Sequence, residues 1–472
     1  MKQESIAQVL QASSKGFVVA PAGYGKTFLI AEAVANYGGR LELILTHTHA
    51  GVDSLRKKIL SFKPSPKNFH VETIDSFILR FVLNYPITSK WGGDIENIDW
   101  LIVRQCGLQL VKKNFIKMII KNSYSGIYVD EYQDCCIEQH EIVHELSRVL
   151  PIRILGDPLQ GIFDFGNNKI VDWQNDVESK FSKVGTLSTP WRWQNANNVA
   201  LGSWLGLIRT KIEKRERIEL TALPACVKHI KSSSEAQIIT ACYSVLSNVA
   251  NDETVVIIGK ADRVQSTHEI ASKLKGCYGV IEPIDSKDLK KVIGALDNIS
   301  KFKQGMAALT FGISCFSGIN KTLLKNELVA LSKDILPKKR DSLSISQPLN
   351  VFLNEQNLKN LLVLLESLKG IKNSHLFRKE LYWETIKIVR EAARTGGALK
   401  EALIRVRENS RRFGRKMSKR IIGRTLLIKG LEFDHAVVIN ADLFDRKNLY
   451  VALTRASKTL TIISNSDDFI PQ

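Results

Sequence analysis

No cysteine of this chain stands in a CxxC pair; the seven cysteines are scattered, and only Cys135 and Cys136 are neighbours. That spacing offers neither a zinc site nor a redox pair, so reduced structural thiols and a cytoplasmic location are the expectation. Long apolar runs are also missing. The tract Met306 to Ile319 is broken by Gly, Ser and Thr and falls short of the roughly 20 residues that span a bilayer. The opening residues MKQESIAQVLQ have no uninterrupted apolar stretch of the secretory kind. A soluble protein with no membrane partner is expected. Acidic residues are in deficit: 67 Lys and Arg against 48 Asp and Glu leave a net charge of +19. Such an excess favours a polyanionic partner, nucleic acid first, over a merely basic surface.

What is present is a globular composition, 44% hydrophobic and 24% charged over 472 residues, enough for roughly two to four domains. Near the start, Gly16 to Val19 reads as a buried strand and Phe28 to Val34 as a helix. Between them Ala22-Gly23-Tyr24-Gly25-Lys26-Thr27 ends the pattern AxxxxGKT, a phosphate loop with alanine for its first glycine. Small residues let backbone N–H groups wrap a polyphosphate at the positive end of a helix. Lys26 then reaches the β- and γ-phosphates and Thr27 ligates Mg²⁺. ATP and Mg²⁺ are the expected cofactors.

A second strand, Leu41 to Leu45, leads into Thr46-His47-Thr48-His49, and Val71 to Phe77 forms a similar strand-to-helix junction. No cysteine or carboxylate cluster supports the histidines as a metal site. Thr46, His47 and Thr73 are instead placed to contact a strand of nucleic acid. Residues 78–124 carry helical patterns broken at Pro86, Gly92 and Gly93. There Trp91 and Trp100 are packing residues or base platforms.

The apolar strand ending at Val129 runs into Asp130-Glu131-Tyr132-Gln133-Asp134. Carboxylates at the end of a buried strand need a cation or a network to receive them. Downstream of a phosphate loop, Asp130 is placed to hold Mg²⁺ through water, and Glu131 to orient and activate the attacking water. The next strand, Ile152 to Leu155, ends in Gly156-Asp157-Pro158-Leu159-Gln160, where Gln160 suits sensing of a γ-phosphate. Far downstream, a run of cations that includes Arg411, Arg412 and Arg415 fits phosphate contacts; a solvated charged helix is the alternative.

GKT, DEYQD and GDPLQGIF, in this order, resemble the UvrD/Rep/PcrA family of superfamily 1 helicases, as do KGLEFD at Lys429–Asp434 and YVALTRA at Tyr450–Ala456. The resemblance implies an α/β fold of two RecA-like P-loop cores with parallel sheets, each carrying a small mainly helical insertion. The boundaries it suggests are 1–77 with 125–212 for the first core, 78–124 for its insertion, 213–285 with 411–472 for the second core, and 286–410 for a reduced helical insertion.

It further implies an adenine-reading glutamine at Gln8, with Gln3 and Gln11 as rivals. Trp191 would lie beside adenine and Arg192 at the γ-phosphate. Glu432 would tie nucleotide state to the second core, and Arg455 would reach back from that core as an arginine finger. Phe165 falls where the family stacks an aromatic on single-stranded DNA, although a core role is its alternative. Departures are plain: Pro190 replaces an asparagine, Leu426 a histidine, and THTHA stands where relatives carry TFTNKA, with His47 in place of a DNA-packing phenylalanine. The implied activity is ATP-driven movement along single-stranded DNA, 3′ to 5′, with unwinding. The compact form also resembles the helicase-like subunit of Gabija antiphage systems, which partners an OLD-family nuclease. That implies the alternative of an ATP-gated DNA sensor. A P-loop kinase is disfavoured by DEYQD and the two arginine motifs.

Overall fold

The structure, a computed structural model, describes residues 3–472 except 37–39, 64–67, 95–97, 165–168, 261–263, 284–286, 320, 334–344 and 414–417. The chain forms two compact units, Met1–Glu216 with Asp445–Ser457, and Arg217–Phe444 with Lys458–Gln472.

Six strands build the sheet of the first unit: β1 (Lys15–Val19), β2 (Glu42–Thr46), β3 (Phe69–Thr73), β4 (Gly126–Val129), β5 (Ile152–Gly156) and β6 (Ser182–Thr186). They lie in the order β3-β2-β4-β5-β1-β6, and every pairing is parallel. Strands buried on both faces read as apolar runs, and their alternation divides two cores. Ile44, Val18 and Leu155 face the helices Gln3–Ala12, Lys26–Ala35 and His49–Ser61. Leu43, Leu45, Phe17 and Ile154 face Ile74–Asn84, Trp100–Val111, Asn114–Ser123 and Ile137–Leu146. Val103, Leu110, Ile116 and Ile120, in the stretch read from sequence as an insertion, thus belong to the core under the sheet.

One polar pair crosses this apolar sheet. Arg153 of β5 and Glu42 of β2 are 2% and 1% exposed and 3.4 Å apart. A Cβ on the intervening Gly126 would come within 2.6 Å of Arg153 Nη1 and Glu42 Oε2, so only glycine leaves room for the pair. Arg153 also donates to the carbonyls of Leu10 and Gln11, at 3.1 and 2.7 Å, capping the end of the first helix. Burial raises the Glu42 pKa, with Arg153 and Ser125 opposing.

The second unit has its own six-stranded sheet: β7 (Val227–Lys231), β8 (Val255–Gly259), β9 (Gly279–Val280), β10 (Arg420–Arg424), β11 (Phe433–Val438) and β12 (Ala456–Ser464), in the order β9-β10-β8-β11-β12-β7. Both sheets are parallel, as two RecA-like cores require. Helices between Lys287 and Phe413 gather a separate core around Phe352, Leu365, Tyr382 and Val389, while the sheet buries Ile257, Ile422 and Val437. One boundary differs from the sequence reading. Asp445–Ser457, expected in the second core, belongs to the first unit, because its helix Arg446–Leu453 and the following turn send Tyr450 and Arg455 into that unit's buried polar network.

Among the described residues no helix is long and apolar enough to cross a membrane. All seven cysteines are free thiols.

Candidate active site

Parallel strands deliver their C-terminal ends to one edge, and in this sheet β4, β5 and β1 are adjacent. The three ends carry Asp130-Glu131, Gly156-Asp157 and the phosphate loop, so motifs over a hundred residues apart in sequence meet by topology alone. Gly23 and Gly25 hold φ of 78° and 86°, the left-handed region that a side chain disfavours. At Gly23 a Cβ would also approach Arg192 Cβ to 3.0 Å and the Trp193 ring to 3.1 Å. Gly25 precedes the helix Lys26–Ala35, and the first turn of a helix leaves N–H groups without intrahelical partners, an end suited to an anion.

Lys26 is buried, with its ammonium 2.5 Å from Glu131 Oε2 and 3.6 Å from Asp130 Oδ1. Burial acts to lower its pKa, but the carboxylates of Glu131 and Asp130 outweigh it and hold the amine charged. Burial raises the Asp130 pKa, only partly offset by Lys26. Glu131 adopts φ 55° and ψ 40°, a left-handed conformation uncommon for glutamate. Gln133 Nε2 donates to Glu131 Oε2 at 2.5 Å, and its Oε1 accepts from the Asp157 amide at 3.0 Å. Gly156 lies beneath this bridge: a Cβ there would meet Gln133 Oε1 and the Trp173 ring, both at 2.8 Å.

Asp157, wholly buried, accepts from the Ala22 amide at 3.1 Å, from Gln160 Nε2 at 2.9 Å and from Arg209 Nη1 at 2.8 Å. Arg209 also donates to Tyr450 Oη at 2.8 Å, and Ala22 N–H reaches the same hydroxyl at 3.2 Å. Burial raises the Tyr450 phenol well above its usual value. Arg455, 1% exposed, donates to Val451 O at 2.8 Å and points Nη2 at Gln160 Oε1, 3.5 Å away. Arg192 donates through Nη1 to Thr454 O at 2.6 Å, and its own amide donates to Gly23 O at 2.9 Å. Trp193 anchors the same turn through Nε1 to Ala456 O at 2.8 Å. Lys26, Asp130, Glu131, Gln160, Arg192 and Arg455 are therefore gathered within the first unit.

Thr27 is half-buried beside Lys26, and Tyr24 is half-buried with its ring edge-on to Trp193. Thr27 and Asp130 are oxygen donors of the kind Mg²⁺ takes together with nucleotide phosphates. Buried at the end of β4, where a carboxylate needs a cation beside it, Asp130 fits that role. Among the described residues no cluster of three His, Cys, Asp or Glu could hold a metal unaided. Gln8 is exposed on the helix Gln3–Ala12, Trp191 is exposed, and Glu432 is exposed in the second unit. Thr46 and Thr73 are buried, and the Thr73 hydroxyl caps a helix by accepting from Ser76 N at 3.0 Å. His47 Nε2 lies 3.5 Å from Cys135 Sγ. Phe165 and Arg415 lie outside the described residues, as do the side chains of Arg411 and Arg412.

Sequence reasoning gave no role to Gln133, Asp157, Arg209, Tyr450 or Trp193. The available signal was Arg209, a charge beside the buried Leu201, Leu205, Ile208 and Ile212 of the helix Val199–Lys214. A cation on an apolar stripe calls for a buried partner.

Comparisons with known proteins agree in part. A stretch of 144 residues, 29% of this chain, is 31% identical to the RecBCD enzyme subunit RecB of Buchnera aphidicola subsp. Acyrthosiphon pisum (strain APS) and covers 11% of that protein. The chain thus matches about a tenth of the length of this curated relative. Among solved structures, the complex of Arterivirus nonstructural protein 10 (helicase) with DNA aligns over 98% of this chain and 63% of its own, at 10% identity and a TM-score of 0.35. The PRRSV helicase aligns over 98% and 55%, at 11% identity and a TM-score of 0.33. Residues 94–179, which carry Asp130, Glu131, Gln133, Asp157 and Gln160, match the UvrD/REP helicase N-terminal domain.

Proposed function

We propose that this chain is an ATP hydrolase of the superfamily 1 DNA helicase type, which couples hydrolysis to movement along single-stranded DNA in the 3′ to 5′ direction. The observation that carries the reading is the Lys26 ammonium held against Glu131 and Asp130 at the end of β4. Phosphoryl transfer to water needs a cation on the transferring group, a metal-holding carboxylate and a residue that orients the water.

Mg²⁺, when bound, would supply positive charge to the transferring phosphoryl group. Thr27 and Asp130 would hold it. Lys26, now neutralised by the carboxylates, turns to the phosphates when they arrive. Glu131 is then released to accept a proton from the attacking water. Gln160 addresses the γ-phosphate through its amide, and Arg192 and Arg455 supply spread positive charge. Glu432 would tie nucleotide state to the second sheet, while Gln8 and Trp191 would recognise the base. The +19 net charge supports a nucleic acid substrate, with Phe165, His47 and the Arg411–Arg415 run as candidate contacts.

A second reading keeps the ATPase without unwinding: an ATP-gated DNA sensor within an antiphage complex, with an OLD-family nuclease as partner. Its support is the packing of the described helices between residues 78 and 124 into the core under the first sheet. Hydrolysis assays of the full chain, with and without single-stranded DNA, test the shared claim. Strand displacement on duplexes with 3′ or 5′ tails separates the two. ATP turnover insensitive to DNA would overturn both.

A further inference from the structure

Asp157 is the most enclosed charge near the phosphate loop, and one guanidinium answers it. Arg209 Nη1 lies 2.8 Å from Oδ1 and 3.0 Å from Oδ2, while its ring-stacked neighbour Tyr450 accepts from the same nitrogen. The Ala22 amide, first in the glycine-rich turn, points at both Asp157 and Tyr450. One amide nitrogen therefore touches two segments, 135 and 428 residues further along the chain. Gln160 is oriented by the same carboxylate. Its NH₂ donates to Asp157, which leaves its carbonyl oxygen towards Arg455. Tyr450 stands five residues before Arg455, and its helix Arg446–Leu453 leads directly into the turn carrying that arginine.

We propose that Arg209 and Tyr450 are positioning residues for ATP hydrolysis: with Asp157 they clamp the Arg455 segment to the Ala22 turn, so that Gln160 and Arg455 meet the γ-phosphate in fixed geometry. The inference rests on the ATPase reading above. Neither residue touches the phosphates. Their contribution is made in the transition state, where a small misplacement of charge-bearing groups is costly, and little is made to nucleotide binding in the ground state.

Tyr450→Phe removes one hydroxyl and keeps the ring beneath Arg209. Asp157 then retains Ala22, Gln160 and Arg209, so the variant should fold. Its kcat for ATP should fall roughly 3–10-fold, the range of one lost hydrogen bond, with KM and the affinity for a non-hydrolysable ATP analogue nearly unchanged. Arg209→Lys keeps the charge but loses the planar guanidinium that lies over the Tyr450 ring while its Nη1 meets Asp157, so it should behave alike, and combining the two should cost little more than either. A merely structural role would lower the melting temperature and leave kcat per folded molecule at the wild-type value in both variants. That result overturns the clamp. The wild-type chain and Lys26→Ala are measured alongside. Turnover in the first and not the second, with Tyr450→Phe unaffected, sinks the clamp and leaves the ATPase standing. Absence of wild-type turnover sinks both.

Discussion

Glu131 Oε2 lies 2.5 Å from Lys26 Nζ, so the candidate base and the candidate phosphate-binding cation pair with each other. Glu131→Gln should therefore bind ATP at least as well as the wild type while its turnover falls by roughly 10²–10⁴-fold, the usual contribution of a general base. Lys26→Ala should lose both binding and turnover. Fluorescent-nucleotide titration beside steady-state phosphate release measures the pair, and near-normal release by Glu131→Gln would remove it from the mechanism.

Arg455 and Arg192 come from segments far apart, yet both are fixed within the first unit by backbone acceptors, Val451 O and Thr454 O. If each adds charge to the transferring phosphoryl group, Arg455→Ala and Arg192→Ala should each reduce kcat by roughly 10³-fold. Arg455 is buried, so circular dichroism must first establish folding. A folded Arg455→Ala with wild-type turnover would assign the residue to packing alone.

His140 makes stability depend on pH. Its ring is enclosed by Tyr132, whose hydroxyl lies 2.9 Å from Nδ1, by Lys180 at 3.1 Å from Nε2, and by the stacked His144, with Asp176 opposing. Burial, with Lys180, lowers its pKa from 6.5 to about 4. The unfolded chain thus takes up a proton near pH 6.5 that the folded one refuses until about 4. The stabilisation is whole above 6.5 and shrinks as pH falls towards 4, by at most about 1.4 kcal/mol per pH unit. Urea melts at pH 7 and pH 5 should show a smaller acid loss for His140→Gln than for the wild type. Equal losses would mean other groups set the slope.

Single-strand binding should weaken steeply with salt, because lysines and arginines release condensed counterions from the strand. Changing Arg411, Arg412 and Arg415 together to Gln should flatten the plot of log affinity against log salt by up to about 0.7 per lost contact. An unaltered slope assigns the run to a solvated surface.

Much of the site was legible because phosphate chemistry leaves contiguous signatures. The loop around Lys26 and the carboxylates at Asp130 and Glu131 could be read locally, and the apolar strands before them gave the parallel α/β plan. Arg209 could not be read so. Its partners, Asp157 and Tyr450, are 52 and 241 residues away, and an arginine on an apolar helix stripe signals a buried partner without saying which residue it is. Tyr450 lies within a motif read for its arginine, and the resemblance places the helix bearing it in the second core. The helical patterns of 78–124, with breaks at Pro86, Gly92 and Gly93, read as an insertion, and nothing local in them signals that Val103, Leu110, Ile116 and Ile120 pack into the core under the first sheet.

The Arg153–Glu42 pair has a consequence for how the first sheet assembles. Apolar strands of a parallel sheet, buried on both faces, offer little to tell one alignment from the next, since a slid strand still presents valine and isoleucine. Here a carboxylate on β2 and a guanidinium on β5 can meet only across the missing side chain of Gly126 on the strand between them. A slip of β4 by one position in either direction puts Ser125 or Ile127 in that gap and strands two buried charges, a loss of about 3–5 kcal/mol. The three residues act as a key cut for a single alignment, and the strand they lock in place is the one that ends at Asp130.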